Sequence, residues 1–366
     1  MSRLFEPLAL GSLRLENRIV IAPMCQYSAT DGTPGDWHLV HLGQLAESGA
    51  GLLILEATAV SPVGRISPND LGLYSDSNEA GLARVLSAVR AIATIPIAMQ
   101  IAHAGRKASV HVPWEGGGQI SPDAPGGWKT EAPSALPFAA GSDAPMALDA
   151  GGLARVREAF VQTARRAARL GIDALEIHGA HGYLLHEFLS PLSNQRDDAY
   201  GGSLQNRMRF PLEVFEAVRA AFPPERPVWM RISASDWVEG GWDLDQSVVL
   251  SQALAERGCA AIHVSSGGLS PAQSIPLVPG YQVPFARRIK LAAGLPTIAV
   301  GLITEAQQAE DILASGDADA IALARAMLYD PRWPWHAAAA LGAQVRAPKQ
   351  YLRSQPREFK NLFIGY

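Results

Sequence analysis

Eight short apolar runs recur at fairly even intervals, each bounded by glycine, proline or polar residues: Ile19–Met24, Leu52–Ala59, Ile97–Ala102, Ala174–His178, Val228–Ser233, Ala261–Ser265, Thr297–Gly301 and Ala320–Ala324. Their lengths and boundaries read as buried strands. Segments between them carry helical periodicity, as in Ala80–Ile92, Leu153–Leu170, Phe210–Ala221, Ser247–Arg257 and Glu305–Leu313. A glycine often stands just ahead of the next run (Gly49, Gly171, Gly258, Gly294, Gly316), and glycine accepts the left-handed stop of a helix. Strands alternating with helices in this way predict a (β/α)8 TIM barrel with right-handed crossovers. The competing doubly wound sheet lacks its G-x-G-x-x-G after any of the runs.

At 366 residues the chain exceeds a minimal barrel of about 250, and two additions account for the excess. Pro7–Asn17 reads as an N-terminal β-hairpin turning at Gly11-Ser12, a cap for the bottom of the barrel. Residues 104–149, rich in Gly, Pro, Ser and Asp, form a long loop after the third strand, on the face where barrels do chemistry. Residues 1–366 are read as a single domain, with 343–366 as a C-terminal tail. The apolar fraction of 48% is ample for a large core. A net charge of −4 with scattered arginines offers no basic field for nucleic acid. No signal core and no apolar run of about 18 residues is found, so a cytoplasmic protein without membrane spans is expected. Cys25 and Cys259 are the only cysteines, too few for a disulfide framework or a four-cysteine cluster.

A barrel brings the ends of all its strands to one mouth, whatever their separation in sequence. The first strand delivers Pro23, Met24, Cys25 and Tyr27, the second Ala57, and the third Gln100 followed by Arg106 and Lys107. The fourth delivers His178, His181 and Tyr183, the fifth Arg231, the seventh Gly301 and the eighth Ala324 and Arg325. Two histidines and a phenol at one strand end fit a catalytic cluster, a packing arrangement or part of a metal site. The H-x-x-H spacing lacks a third ligand in a comparable setting, so no metal is expected.

Taken together in one order, Pro23-Met24-Cys25-Gln26-Tyr27, Ile101-Ala102-His103-Ala104-Gly105-Arg106-Lys107, the His178–Tyr183 segment and Tyr200-Gly201-Gly202-Ser203 with Asn206-Arg207 resemble the old yellow enzyme family of flavin-dependent ene-reductases. More narrowly they resemble its YqjM-like, xenobiotic-reductase branch, and the likeness runs from Leu4 to Arg353. The resemblance implies noncovalent FMN at the barrel mouth, with the phosphate by Gly301, Ala324 and Arg325. Ala324 stands where relatives usually have glycine. Arg231 is then expected beside N1 and O2 of the flavin, Gln100 on its pyrimidine edge, Ala57 against the ring, and Pro23, Met24 and Cys25 on the N5 side.

The same resemblance implies that His178 and His181 donate hydrogen bonds to a substrate carbonyl or nitro oxygen. A hydride then leaves for the β-carbon and Tyr183 protonates the α-carbon, with Tyr27 and Cys25 shaping the substrate pocket. NADPH or NADH is the implied reductant, and activated alkenes (enones, enals, maleimides, nitroalkenes) the oxidants. Arg353 matches a position that reaches into a neighbouring subunit's site, which implies a homodimer or a tetramer built from dimers.

Three other readings compete. A non-redox lyase or isomerase on a phosphate-gripping barrel would use Lys107 as a covalent amine. A relative of 2,4-dienoyl-CoA reductase would need an iron–sulfur cluster, which two isolated cysteines do not supply. A noncatalytic flavin-binding sensor would bind the cofactor without turnover.

Overall fold

The computed structural model describes residues 2–366. The N-terminal hairpin pairs β1 (Leu8–Leu10) with β2 (Leu13–Leu15) in antiparallel register, turning at Gly11, whose φ of +59° only a residue without a Cβ adopts at ease. Leu10 and Leu15 are fully buried, worth about 1.5–3 kcal/mol each. A Cβ on Gly11 would lie 3.2 Å from the Cβ of Pro227, and the Ser12 hydroxyl donates to the Glu225 carbonyl. Those partners precede the fifth barrel strand, so the hairpin does plug the amino-terminal end.

The barrel proper starts with β3 (Ile19–Ile21), α1 (Asp36–Ala46), β4 (Leu52–Ala59), α2 (Asp76–Ile92) and β5 (Ile97–Ala102). The long loop follows and contributes its own short parallel pair, β6 (Glu131–Ala132) with β7 (Met146–Ala147). Then come α3 (Ala150–Arg169), β8 (Ala174–Gly179), α4 (Leu184–Leu189), α5 (Leu204–Ala221), β9 (Val228–Ser233) and α6 (Leu244–Ala255). The circuit ends with β10 (Ile262–Ser265), α7 (Val283–Ala293), β11 (Thr297–Ala299), α8 (Ala306–Ala314), β12 (Ala320–Leu323), α9 (Arg325–Tyr329) and α10 (Trp333–Ala340). Strands β3, β4, β5, β8, β9, β10, β11 and β12 form one closed parallel barrel, shut by the pairing of β12 with β3 at Ile321 and Ile19.

Helix starts are written into the sequence. Side-chain oxygens of Ser75, Asp149, Ser203 and Asp243 each accept from the backbone N–H three residues on, capping α2, α3, α5 and α6. The glycines expected to stop helices, Gly49, Gly171, Gly258, Gly294 and Gly316, all have positive φ.

The strands fall short of the expected runs at the mouth. β3 ends at Ile21, β11 at Ala299 and β12 at Leu323, so Ala22–Met24, Val300–Gly301 and Ala324 are strand-exit loops and not strand. Apolar composition continues there while the backbone leaves the ladder to line the site. A register shift between Leu55 and Thr58 likewise bulges β4 at Glu56 and Ala57.

The loop of residues 104–149 is anchored at several points. The Trp128 indole donates to the Val63 carbonyl, the Trp128 N–H to Ser109 Oγ, and Glu131 pairs with Arg155. The tail is equally ordered: β13 (Val345–Ala347) pairs in parallel with β14 (Phe363–Gly365), and Leu362 is buried against Ala338 and Val345. No helix among the described residues is long and apolar enough to cross a membrane.

Candidate active site at the barrel mouth

Neighbouring barrel strands align Gln100 with Glu176, His178 with Arg231, and His263 with Arg231. Because side chains two apart on a strand share a face, Glu176 and His178 both point inward, one layer above the other. All five side chains are buried. Glu176 and His263 did not figure among the expected site residues. The signal available was a charged residue in the middle of an otherwise apolar strand.

The deepest layer is tightly bonded. Glu176 accepts from Gln100 Nε2, Trp229 Nε1 and His263 Nδ1, each at 2.7 Å. Since the Gln100 NH2 group is committed to Glu176, its carbonyl oxygen is left for whatever lies above. Arg231 presents the opposite case: its guanidinium makes no hydrogen bond or ion pair among the described residues, and its buried Nε has no partner there. A buried cation without a partner is costly, so this geometry is built for an electron-rich group from outside the chain. FMN fits: Arg231 would hold the N1/O2 edge and the Gln100 carbonyl an N–H of the pyrimidine ring, with Ala57 and the half-buried Pro23, Met24 and Cys25 around it. At the ends of β11 and β12 a cavity of about 750 Å³ is bounded by Gly301, Thr304, Ala324, Arg325, Trp333 and Ala337. Arg325 is exposed at the uncapped start of α9, free to meet a phosphate. Ala324 has φ of −107°, so the alanine in place of glycine carries no left-handed strain.

Histidine tautomers can be read from the backbone. In His38, His103 and His186 the Nδ1 atom accepts from a nearby backbone N–H, which leaves the proton on Nε2. Each Nε2 then faces a carboxylate: Glu56 at 3.3 Å, Glu131 at 3.6 Å and Asp236 at 2.9 Å. His178 repeats the first half of this pattern, its Nδ1 accepting from Ala180 N–H at 3.2 Å, but no protein acceptor meets its Nε2–H. This donor awaits a ligand.

His181 is held differently. It has φ of +61°, its N–H donates to Ser233 Oγ, and its Nε2 lies 2.7 Å from Ser265 Oγ. One ring nitrogen is therefore engaged, and Nδ1 is the one left without a protein partner. His181 thus reaches the mouth with Nε2 on Ser265 and Nδ1 open, so each histidine of the pair keeps one ring nitrogen free to face a ligand. Burial first, then the Arg231 charge, holds both imidazoles well below the usual histidine range, so both are neutral at neutral pH.

The Tyr183 ring stands edge-on to His178 with centroids 4.9 Å apart, and His178 is edge-on to His181 at 5.1 Å. Burial pushes the Tyr183 phenol well above its ordinary value. Cys25, Tyr27, Trp128 and Tyr183 pack on one small apolar cluster of Ile66, Ala104 and Ala108, so the first strand's loop and the Tyr183 loop share a wall. Tyr27 meets the edge of Trp114, an exposed residue of the long loop, at 6.0 Å.

Lys107 is a strut between loops. Its ammonium donates to the carbonyls of His181 and Gly268, both at 2.8 Å, and faces the rings of Phe138 and Tyr183. Burial, partly offset by Glu187, brings its pKa down to about 8. Replacing it by methionine strands both carbonyls; a loss of about 2–3 kcal/mol is expected for these charge-assisted bonds, measured by urea unfolding of the FMN-loaded protein. Borohydride with a carbonyl compound is expected to trap no adduct on the parent, since the amine is committed to two acceptors.

Arg353 is exposed on a 3-10 turn of the tail and makes no hydrogen bond or ion pair among the described residues. Among the described residues no group of three or more His, Cys, Asp or Glu is arranged to hold a metal ion.

Comparison with known proteins adds to this geometry. A family model described as the NADH:flavin oxidoreductase / NADH oxidase family matches residues 3–344. A protein named NADPH dehydrogenase from Geobacillus thermodenitrificans is 44% identical over 352 residues, covering 96% of this chain and 98% of that protein. The NADPH dehydrogenase of Bacillus licheniformis is 43% identical over 354 residues, covering 96% and 98%. Among solved structures, morphinone reductase superimposes with a TM-score of 0.78 at 32% identity, over 100% of this chain and 94% of the other.

Proposed function

The chain belongs to the NADH:flavin oxidoreductase / NADH oxidase family, and from that premise we propose an FMN-dependent ene-reductase that consumes NADPH or NADH and reduces activated C=C bonds. Bound FMN would supply the hydride-transfer chemistry that links the nicotinamide to the β-carbon of the alkene. The observation that carries the reading is the pair of unmet groups at the mouth, the Arg231 guanidinium and the His178 Nε2–H, beside a neutral phenol.

His178 Nε2–H donates to the substrate oxygen, and His181 supports it through Nδ1. Because both rings are neutral, they stabilise developing negative charge on that oxygen by hydrogen bonding alone, without losing a proton to it. Tyr183 delivers its proton to the α-carbon, and its partial burial keeps competing water off the donor. Tyr27 and Cys25 line the wall that their loop shares with the Tyr183 loop. Arg231 compensates the negative charge that accumulates on its side of the site. Pro23, Met24, Cys25, Ala57, Gln100, Gly301, Ala324 and Arg325 would hold the cofactor. Reductant and oxidant use one pocket in turn, which needs no separate dinucleotide domain.

Lys107, bonded to two carbonyls, does not favour a lyase with a covalent amine. Cys259 bonds to the Ala261 carbonyl just ahead of β10, whereas Cys25 follows the end of β3, so the two thiols belong to opposite ends of the barrel, which does not favour an iron–sulfur reductase. The test is direct: purified protein reconstituted with FMN is expected to be yellow, to bleach with NADPH under anaerobic conditions, and to recover colour with cyclohexenone. A protein that binds no FMN sinks the reading; one that binds it without enone-dependent recovery is a sensor.

For assembly, the exposed Arg353 supports a homodimer or dimer-based tetramer in which this arginine enters the neighbour's site. Arg353→Ala is expected to raise KM for enones while FMN content stays unchanged. Unaltered oligomer mass, enone affinity and turnover would together dispose of the shared site.

A further inference from the structure

Beneath the residues that meet cofactor and substrate lies a charged group the mechanism leaves unused. Glu176 is fully buried, yet three donors from three other strands converge on it: Gln100 on β5, Trp229 on β9 and His263 on β10. Burial alone would raise its pKa, but the hydrogen bonds from His263 and the Trp229 indole and the Arg231 charge outweigh burial and hold it below the usual carboxylate range. It is therefore an anion at every working pH. His263 stays neutral, lowered first by burial, with its far nitrogen lacking any partner. The layer thus holds one negative charge below one positive charge, Arg231, with no other ion pair to either except the His263 contact.

We propose that Glu176 is a positioning residue that sets how strongly the site favours reduced over oxidised flavin: its charge offsets that of Arg231, and its Oε1 turns the Gln100 amide so that the carbonyl faces the mouth. The inference rests on the FMN reading. Arg231 by itself draws negative charge to the cofactor and favours reduction, and a fixed anion a layer below moderates that pull. The amide matters separately, since a Gln100 released from Glu176 can present its NH2 to a cofactor edge that itself donates a hydrogen.

Reconstituting the parent, Glu176→Gln and Glu176→Asp with FMN tests both halves, with the reduction potential read against a dye of known potential and oxidised-FMN affinity read by fluorescence. Glu176→Gln is expected to favour reduced flavin by about tenfold, a rise of ~30 mV in the two-electron potential. Glu176→Asp keeps the charge but withdraws the oxygen from Gln100. It is expected to hold the potential within about twofold (~9 mV) of the parent while oxidised FMN binds several-fold more weakly. An unchanged or lowered potential in Glu176→Gln overturns the charge role, and unchanged FMN affinity in Glu176→Asp overturns the amide role. Should melting of the apoprotein show that Glu176→Gln does not fold, Trp229→Phe decides: it keeps the carboxylate and removes one donor, which exposes more of the negative charge and is expected to lower the potential. A rise or no change there overturns the proposal. A parent that binds no FMN refutes the cofactor reading instead, so the two failures are distinct.

Discussion

Tyr183→Phe is expected to slow alkene reduction by roughly 10²–10⁴, the range of general acid catalysis, while NADPH still reduces the bound flavin at close to the parent rate. The substitution removes one oxygen and keeps the ring, so the edge contact with His178 and the packing against Ile66, Ala104 and Ala108 persist. A loss confined to the oxidative half-reaction therefore reports the proton. Burial holds the phenol above its ordinary value of about 10, so the donor stays protonated across the working range, and no loss of the acid is expected on the alkaline side up to about pH 10. Stopped-flow measurement of the two half-reactions decides the matter. If the variant matches the parent against cyclohexenone, the proton comes from water or another residue.

His178→Ala is expected to cost roughly 10²–10³ in the rate of alkene reduction, as for the loss of one oxyanion donor. Its Nε2–H is the imidazole donor at the mouth with its tautomer fixed by a backbone N–H and with no protein acceptor to return to. His181→Ala is expected to cost less, because Ser265 already engages one of its nitrogens. Comparing the two variants for enone affinity and single-turnover rate tests the ranking. A larger loss at His181 would reverse the assignment, with Ser265 surrendering its bond when substrate arrives.

Legibility in the sequence varied with the kind of environment. β4, β5 and β9 coincide residue for residue with the apolar runs Leu52–Ala59, Ile97–Ala102 and Val228–Ser233, because a parallel strand buried on both faces is mostly apolar, broken here only by inserts such as Glu56, Gln100 and Arg231. β3, β11 and β12 are overrun because residues lining a flavin-sized mouth are as apolar as those in the ladder. Helix α1 has no clean periodicity: its inward face carries His38, while Trp37 and Val40 face solvent.

The site shows the same division. Residues at strand ends are legible once the barrel is assumed, and the family resemblance names their roles. Glu176 and His263 lie 87 positions apart, and each reads alone as an interruption of its strand. Their bond exists only because β8, β9 and β10 pair side by side in the barrel wall. The engagement of His181 by Ser265 is invisible for the same reason. The fates of the two loop tryptophans depend on backbone partners that no pattern records: Trp128 bonds to Val63, whereas Trp114 stands over Tyr27.

The tip of the long loop is closed on itself, with Val110 bridged to Gln119 and His111 bonded to Gly118. Its base is tied down separately, through Ser109 to Ile120 and Trp128. A segment stapled at its neck in this way is an interchangeable cassette. Lineages could trade residues 111–118 for longer, shorter or more aromatic versions and so acquire new oxidants, while the barrel beneath, with its charges and cofactor seat, is inherited untouched.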